Sequence, residues 1–129
     1  MVVDSSALIA ILRGEPEEPA FRNAIRTAPN RLLGAPTRVE ASMVALGRWG
    51  EPGLEQMQAL IERFELEVVP LSDDHAKFAI EAFRRFGKGR HAAGLNFGDC
   101  FSYALAKATG EPLLFKGDDL SQTDIKRAV

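Results

Sequence analysis

Leu95-Asn96-Phe97-Gly98-Asp99-Cys100-Phe101-Ser102-Tyr103-Ala104-Leu105-Ala106-Lys107 is the stretch on which the reading of this chain turns. A glycine-bearing loop leads into it, and Asn96 is suited to cap the first free amides of a helix. Asp99 then falls at the third helical position, where unpaired N–H groups and the helix dipole favour a carboxylate. Behind it, Phe101, Ala104, Leu105 and Ala108 recur at helical spacing and predict an apolar face. Lys107 and Gly110 supply the positive last turn and the glycine stop. One carboxylate is thus held on the first turn of a buried helix. Alone it needs no purpose beyond capping, so its meaning depends on whether other acids arrive at equivalent places.

Working outward, the chain alternates strands and helices. Met1-Val2-Val3 predicts a first strand that ends in Asp4-Ser5-Ser6, with serine as the cap of a helix carrying Leu8, Ile11 and Leu12. Glu17 to Arg26 predicts a second helix, and Arg31 to Ala35 a second strand. The helix opened by Pro36-Thr37-Arg38-Val39-Glu40 has Val39, Met43 and Leu46 on its predicted buried side. Gly50, Pro52 and Gly53 mark a loop before a helix from Leu54 to Phe64. Glu67 to Leu71 predicts a third strand, whose Pro70 suits a short edge strand or a strand end. Ser72 caps a helix with an Ala76, Ala79, Ile80, Phe83 and Phe86 stripe. Gly87 to Gly98 is a loop, and Pro112 to Phe115 a fourth strand. This order predicts an α/β fold, a three-layer α/β/α sandwich with a mostly parallel central sheet, in one domain spanning residues 1–129. In such sheets ligands bind beyond the carboxyl ends of the strands.

Composition narrows the chemistry. At 46% hydrophobic and 26% charged, the sequence belongs with globular rather than disordered chains. The single cysteine excludes an internal disulfide, and no cysteine–histidine cluster has zinc spacing. Cys100 reads as a small apolar filler beside Asp99, because no histidine stands near it in sequence. No apolar run approaches the ~20 residues of a membrane span, and no signal peptide is visible, so no membrane association and a cytoplasmic location are expected. A net charge of −2 argues against binding nucleic acid through overall charge. It leaves room for a local basic strip, or for an acidic site inverted by bound metal.

Four acids map to one edge of the predicted sheet. Asp4 lies just past strand one and Asp118 just past strand four. Glu40 is in the first turn of the helix after strand two, and Asp99 in the first turn of the helix before strand four. Local roles are open to each: Thr37-x-x-Glu40 has capping-box spacing, Asp4 fits a turn, and Asp118 and Asp119 sit in a glycine turn. Yet four like charges at one edge repel unless something neutralises them. All-oxygen donors suit magnesium or manganese, whereas zinc favours histidine or cysteine. Such a metal activates water and offsets charge on a phosphoryl group, so the expected chemistry is phosphodiester hydrolysis.

The same residues resemble the PIN-domain family, and within it the VapC-type toxins of bacterial toxin–antitoxin pairs. The resemblance rests on Val3-Asp4-Ser5-Ser6-Ala7, Glu40 after its Thr-x-x spacer, Leu95 to Asp99 with Tyr103 to Ala106, and Leu114 to Leu120 before Thr123-Asp124-Ile125. It implies a PIN-like fold and RNA cleavage with Mg2+ or Mn2+. Asp4, Glu40, Asp99 and Asp118 are implied as the metal and catalytic set, and Ser6 as the hydroxyl supporting the first aspartate. A homodimer and a cognate VapB-type antitoxin are further implications. Asp118 is preferred over its neighbour as the fourth acid because it directly follows Gly117, with Asp119 capping the turn. Leu120 departs from a frequent family phenylalanine, a packing change.

Arg84, Arg85, Lys88 and Arg90 form an acid-free stretch flanking the loop into Asp99. They are suited to track an RNA backbone toward the metal, or equally to complement a helix C-terminus as solvated charges. His91 is placed for proton transfer or for an idle loop position, and His75 has no assigned role. Two other readings compete: a catalytically silent PIN-fold module that holds RNA or metal, and a phospho-accepting receiver domain. The receiver fits poorly, because it needs a paired acid run after strand one and an acceptor aspartate after the middle strand, where this chain has Asp4-Ser5-Ser6 and Val69-Pro70.

Overall fold

Four short strands form the central sheet. They are β1 (Val2–Val3), β2 (Leu32–Gly34), β3 (Glu67–Val69) and β4 (Leu113–Leu114), all parallel, in the order β3-β2-β1-β4. Val2 stands opposite Leu32 and Leu113, and Val3 opposite Leu114. The structure, a computed structural model, describes residues 1–129. β3 lies at the edge, where the adjacent Pro70 removes no interior ladder bond.

Alternation along each strand divides the core in two. Val3, Leu33 and Leu114 face α1 (Ser5–Arg13), α2 (Glu18–Thr27) and α3 (Ala35–Arg63), joining Leu8, Phe21 and Met57 in one apolar cluster. Val2 and Leu113 face the other way, against α4 (Asp73–Phe86) and α5 (Phe97–Thr109), with Phe86, Tyr103 and Leu105. The result is the expected α/β/α sandwich. No helix is long and apolar enough to cross a membrane.

Several expected faces are corrected. Val39, Met43 and Leu46 on α3 are exposed, Met43 at 66%, whereas Thr37, Ala41 and Ala45 are buried. Both sets have helical periodicity, and the smaller one faces inward because it lets the α3 backbone approach the core closely. On α4, Ile80 and Phe83 are exposed while Ala79, Ala82 and Phe86 are buried. In α5, Ala108 is exposed, but the run from Cys100 to Ala106 is almost wholly buried except for the half-buried Phe101. The cap of α1 is Asp4 rather than a serine.

The predicted loop at Gly50 to Gly53 is a kink that joins two helical halves of α3. Gly50 takes φ 70° and ψ −161°, a left-handed value that glycine adopts without strain. Gly53 then packs under the first half: a Cβ there would lie 2.5 Å from the Ala45 carbonyl oxygen and 2.7 Å from Trp49 Cβ. Backbone cannot yield as a side-chain tip does. Gly53→Ala is therefore expected to destabilise the fold by about 1–3 kcal/mol, the range for overpacking, seen as a lower urea midpoint at unchanged slope.

Candidate active site at the carboxyl edge

β1 ends at Val3, and the next residue caps α1. Asp4 has extended backbone (φ −84°, ψ 157°), and its Oδ2 accepts the Ser6 amide at 3.0 Å and the Ser6 hydroxyl at 2.6 Å. Its Oδ1 accepts the Ser102 hydroxyl of α5 at 2.5 Å. The side chain is thus both the cap and the centre of a polar cluster, at 2% exposure. A carboxylate offers about four lone-pair sites, and these three bonds leave one free on Oδ1. The Ser6 hydroxyl also accepts the Lys116 amide at 3.0 Å, which ties the ends of β1 and β4 together around Asp4.

Ser102 escaped the sequence reading. Its hydroxyl lies 3.3 Å from that of buried Thr37, and both residues are almost inaccessible. The available signal was a serine inside an otherwise apolar helical run, one turn beyond Asp99. Thr37 was read only as half of a capping box with Glu40. That box does not form, because α3 begins at Ala35 with Gly34 as cap. Thr37 bonds to Ser102 instead, and Glu40 accepts the Ser5 hydroxyl at 2.7 Å. Glu40 also presses on the start of α5, where a Cβ on Gly98 would collide with its carboxylate.

Asp99 closes a true capping box. Its Oδ2 accepts the Asn96 amide at 3.0 Å, and Asn96 Oδ1 accepts the Asp99 amide at 2.9 Å. Its carboxyl is pushed up to about 6, first by burial, with the Asn96 bond opposing and the charges of Asp4, Asp119 and Glu40 adding to the rise. Capping and a place among the other acids therefore coexist in one residue. α5 begins at the carboxyl edge of the sheet, so Asp99 meets the residues that follow β1, β2 and β4.

Among the C-terminal acids, the expectation that Asp119 caps the turn is corrected. Asp119 opens the 3-10 turn Leu120–Gln122, but its side chain makes no capping bond, and its charge acts on Asp99. The Asp118 carbonyl accepts the Ser121 hydroxyl at 2.5 Å.

The flanking basic residues are partly engaged. Arg84 pairs with Glu81, Arg85 reaches Asp124 at 3.5 Å and stacks on Phe86, and the Arg90 guanidinium donates to the Arg84 carbonyl at 3.1 Å. Lys88 is exposed. His91 braces its own loop: Nδ1 accepts the Ala93 amide at 2.9 Å, and the ring packs edge-on against Phe86. Cys100 is buried, and burial together with Asp99 pushes its thiol up to about 11, which makes it inert filler.

A hard divalent cation fits this donor set. The converging side chains offer carboxylate and hydroxyl oxygens without histidine or thiolate, and the like charges that raise Asp99 are what a cation offsets. No three acids stand close enough to enclose an ion by themselves. Magnesium, which retains several waters, does not require an all-protein cage.

The PIN domain family matches residues 1–126. A VapC ribonuclease of Mycobacterium bovis is 46% identical over 125 residues, covering 97% of this chain and 95% of that protein. Among solved structures, Mycobacterium tuberculosis VapC20, described as a Sarcin-Ricin loop cleaving toxin, superposes with a TM-score of 0.76 at 17% identity, over 96% of this chain and 95% of its own. A chain of a toxin–antitoxin complex from Klebsiella pneumoniae gives 0.69 at 17% identity, over 95% of this chain and 92% of that one.

The raised Asp99 carboxyl has a thermodynamic consequence. Because its folded value of about 6 exceeds the ordinary 3.8, the folded chain holds this proton more tightly than the unfolded chain. Ionised Asp99 then costs stability; the cost is absent below about pH 4, grows between the two values and is complete above about pH 6. Asp99→Asn keeps an oxygen acceptor for the Asn96 amide. In metal-free buffer it is expected to raise the melting temperature at neutral pH, with the gain vanishing near about pH 4.

Proposed function

The chain belongs to the PIN-domain family, and on that premise we propose that it is an endoribonuclease toxin of a toxin–antitoxin pair. It hydrolyses RNA phosphodiester bonds with Mg2+ or Mn2+ held by Asp4, Glu40, Asp99 and the Asp118–Asp119 pair. The observation that carries this reading is that the Ser102–Asp4 bond fastens the helix presenting Asp99 against the end of β1 while the Glu40 carboxylate presses on Gly98 beside Asp99. The ribonuclease name of a relative 46% identical over nearly the whole chain supports the same activity. The fourth carboxylate comes from the Asp118–Asp119 pair, and the charge of Asp119 acting on Asp99 supports Asp119 for that place.

When bound, the metal supplies an activated water and offsets charge on the phosphoryl oxygens. The protein's own part is orientation. Ser6 and Ser102 fix both oxygens of Asp4, Ser5 aims Glu40, and the Asn96 box holds Asp99 at the mouth of the site. Lys88, with the outer faces of Arg84, Arg85 and Arg90, is placed to meet the RNA backbone.

Partners follow from the surface. Phe97 is 80% exposed beside exposed Met43, Val39 and Ile80, and two apolar grooves share Phe97 and Phe101, one between α4 and α5, the other between α3 and α5. A contiguous patch of this kind marks an interaction surface. A second copy of the chain and a cognate VapB-type antitoxin are its proposed occupants, the latter supported by the similar chain in the Klebsiella complex. The working compartment is the cytoplasm, where such a target RNA resides. Phe97→Asp is expected to convert a sedimenting dimer into a monomer; an unchanged sedimentation coefficient would remove this face from the dimer.

The activity is tested with a mixed single-stranded RNA pool, purified protein, and magnesium, manganese or EDTA. Cleavage is expected with either metal, none with EDTA, and none by Asp99→Asn prepared identically. Full cleavage by folded Asp99→Asn would overturn the site. Metal binding by calorimetry without cleavage of any RNA would favour the silent module.

A further inference from the structure

Asp124 is a highly connected carboxylate for which the proposed chemistry has no use. It lies in an excursion that leaves the sheet after β4 and returns beside it, where the Leu113 amide donates to the Lys126 carbonyl and the Ala128 amide to the Leu113 carbonyl, both at 2.9 Å. Between these pins the excursion carries Asp118 and Asp119. Internally it is braced by buried Leu120 and by the Thr123 hydroxyl, which donates to the Leu120 carbonyl at 2.7 Å.

Outward, Asp124 supplies the bonds to the helices. Oδ1 accepts the Tyr103 hydroxyl at 2.7 Å; Oδ2 accepts Lys107 Nζ at 2.9 Å and Arg85 Nη1 at 3.5 Å. Burial pushes its carboxyl up, but the Lys107 and Tyr103 bonds outweigh this and hold it at about 2. The two ion pairs are exposed and each worth little. Tyr103 is the firm partner, because it is buried and a hydrogen bond to a charged acceptor is among the stronger kinds.

Spacing joins this clamp to the site. Asp99, Tyr103 and Lys107 stand at i, i+4 and i+8 on one stripe of α5. The face that presents Asp99 in its first turn therefore presents the two donors for Asp124 in the next turns. Asp119 lies in this excursion directly before buried Leu120, so whatever anchors the excursion also sets where the Asp119 carboxylate stands.

We infer that Asp124 is a positioning residue: by clamping the excursion to the Tyr103–Lys107 face of α5, it sets how closely Asp119 stands to Asp99. This rests on the metal reading given above. Its partners are Tyr103, Lys107 and Arg85, and its role is exerted through Asp119.

The test combines Mn2+ calorimetry with hydrogen exchange of the metal-free full chain, on wild type, Asp124→Ala, Tyr103→Phe, Asp119→Asn and the Asp119→Asn/Asp124→Ala double variant. Asp124→Ala is expected to speed exchange in residues 116–125 while α5 stays protected, and to weaken Mn2+ binding about 10-fold, the lower end for second-layer partners of metal ligands. In the Asp119→Asn background the same change should produce no further loss, the signature of coupled residues. Tyr103→Phe, which keeps the ring in the core, should move both readouts the same way and serves if Asp124→Ala does not fold. Wild-type affinity in the folded variants, or additive losses in the double variant, would overturn the inference. Unchanged exchange would overturn the clamp by itself. Absence of Mn2+ binding by wild type would overturn the metal reading, and the positioning role with it.

Discussion

Carboxylate crowding at the carboxyl edge of a parallel sheet is the constraint that organises this molecule. Asp4, Glu40, Asp99 and Asp119 come from four separate segments, and the charges of the other three help to hold the Asp99 carboxyl near 6. Nothing in general protein stability favours such an arrangement, since like charges in a low-dielectric setting oppose the fold. The surrounding structure reads as the means of keeping them there. α1 begins immediately after β1, so that Asp4 has no freedom to swing away. α5 starts at the same edge, and Ser102 fastens it to Asp4 across the core.

The apparatus is economical because each holding group serves two ends. Asp4 caps α1 and forms the centre of the polar cluster. Asp99 completes a capping box with Asn96 and faces the other acids. Ser6 orients Asp4 and takes the Lys116 amide, linking two strands. Local helix chemistry and site chemistry are thus the same bonds, which gives the acids fixed rotamers without a separate scaffold. The apolar faces show the complementary logic. Small residues on α3 and α4 turn inward and allow close packing, while Val39, Met43, Ile80 and Phe83 turn outward to a surface suited to partners.

Much of the fold was legible. Strand–helix alternation, the caps at Ser72 and Asn96, and the glycine stop at Gly110 are local signals, and the structure places elements where they indicate. The capping box at Asn96 and Asp99 follows from four consecutive residues and the geometry of a first turn. Faces were less legible wherever two apolar stripes share one helix. On α3 the set Val39, Met43, Leu46 and the set Thr37, Ala41, Ala45 are both periodic. Hydrophobicity ranks the larger residues as the core, but close approach selects the smaller. Thr37 misled for a related reason: its spacing to Glu40 fits a box, but the helix begins two residues earlier.

The sequence by itself determined the fold class, the edge at which chemistry is placed, and the identity of Asp4, Glu40 and Asp99 as the acids arriving there. These depend on element order and on positions within first turns, both local properties. Tertiary structure alone decided that Ser102 and Thr37 join the cluster, and that Asp124 ties the C-terminal excursion to α5. Each of those turns on which way a side chain points once distant segments meet. No pattern along the chain encodes that direction; only the packed partner does.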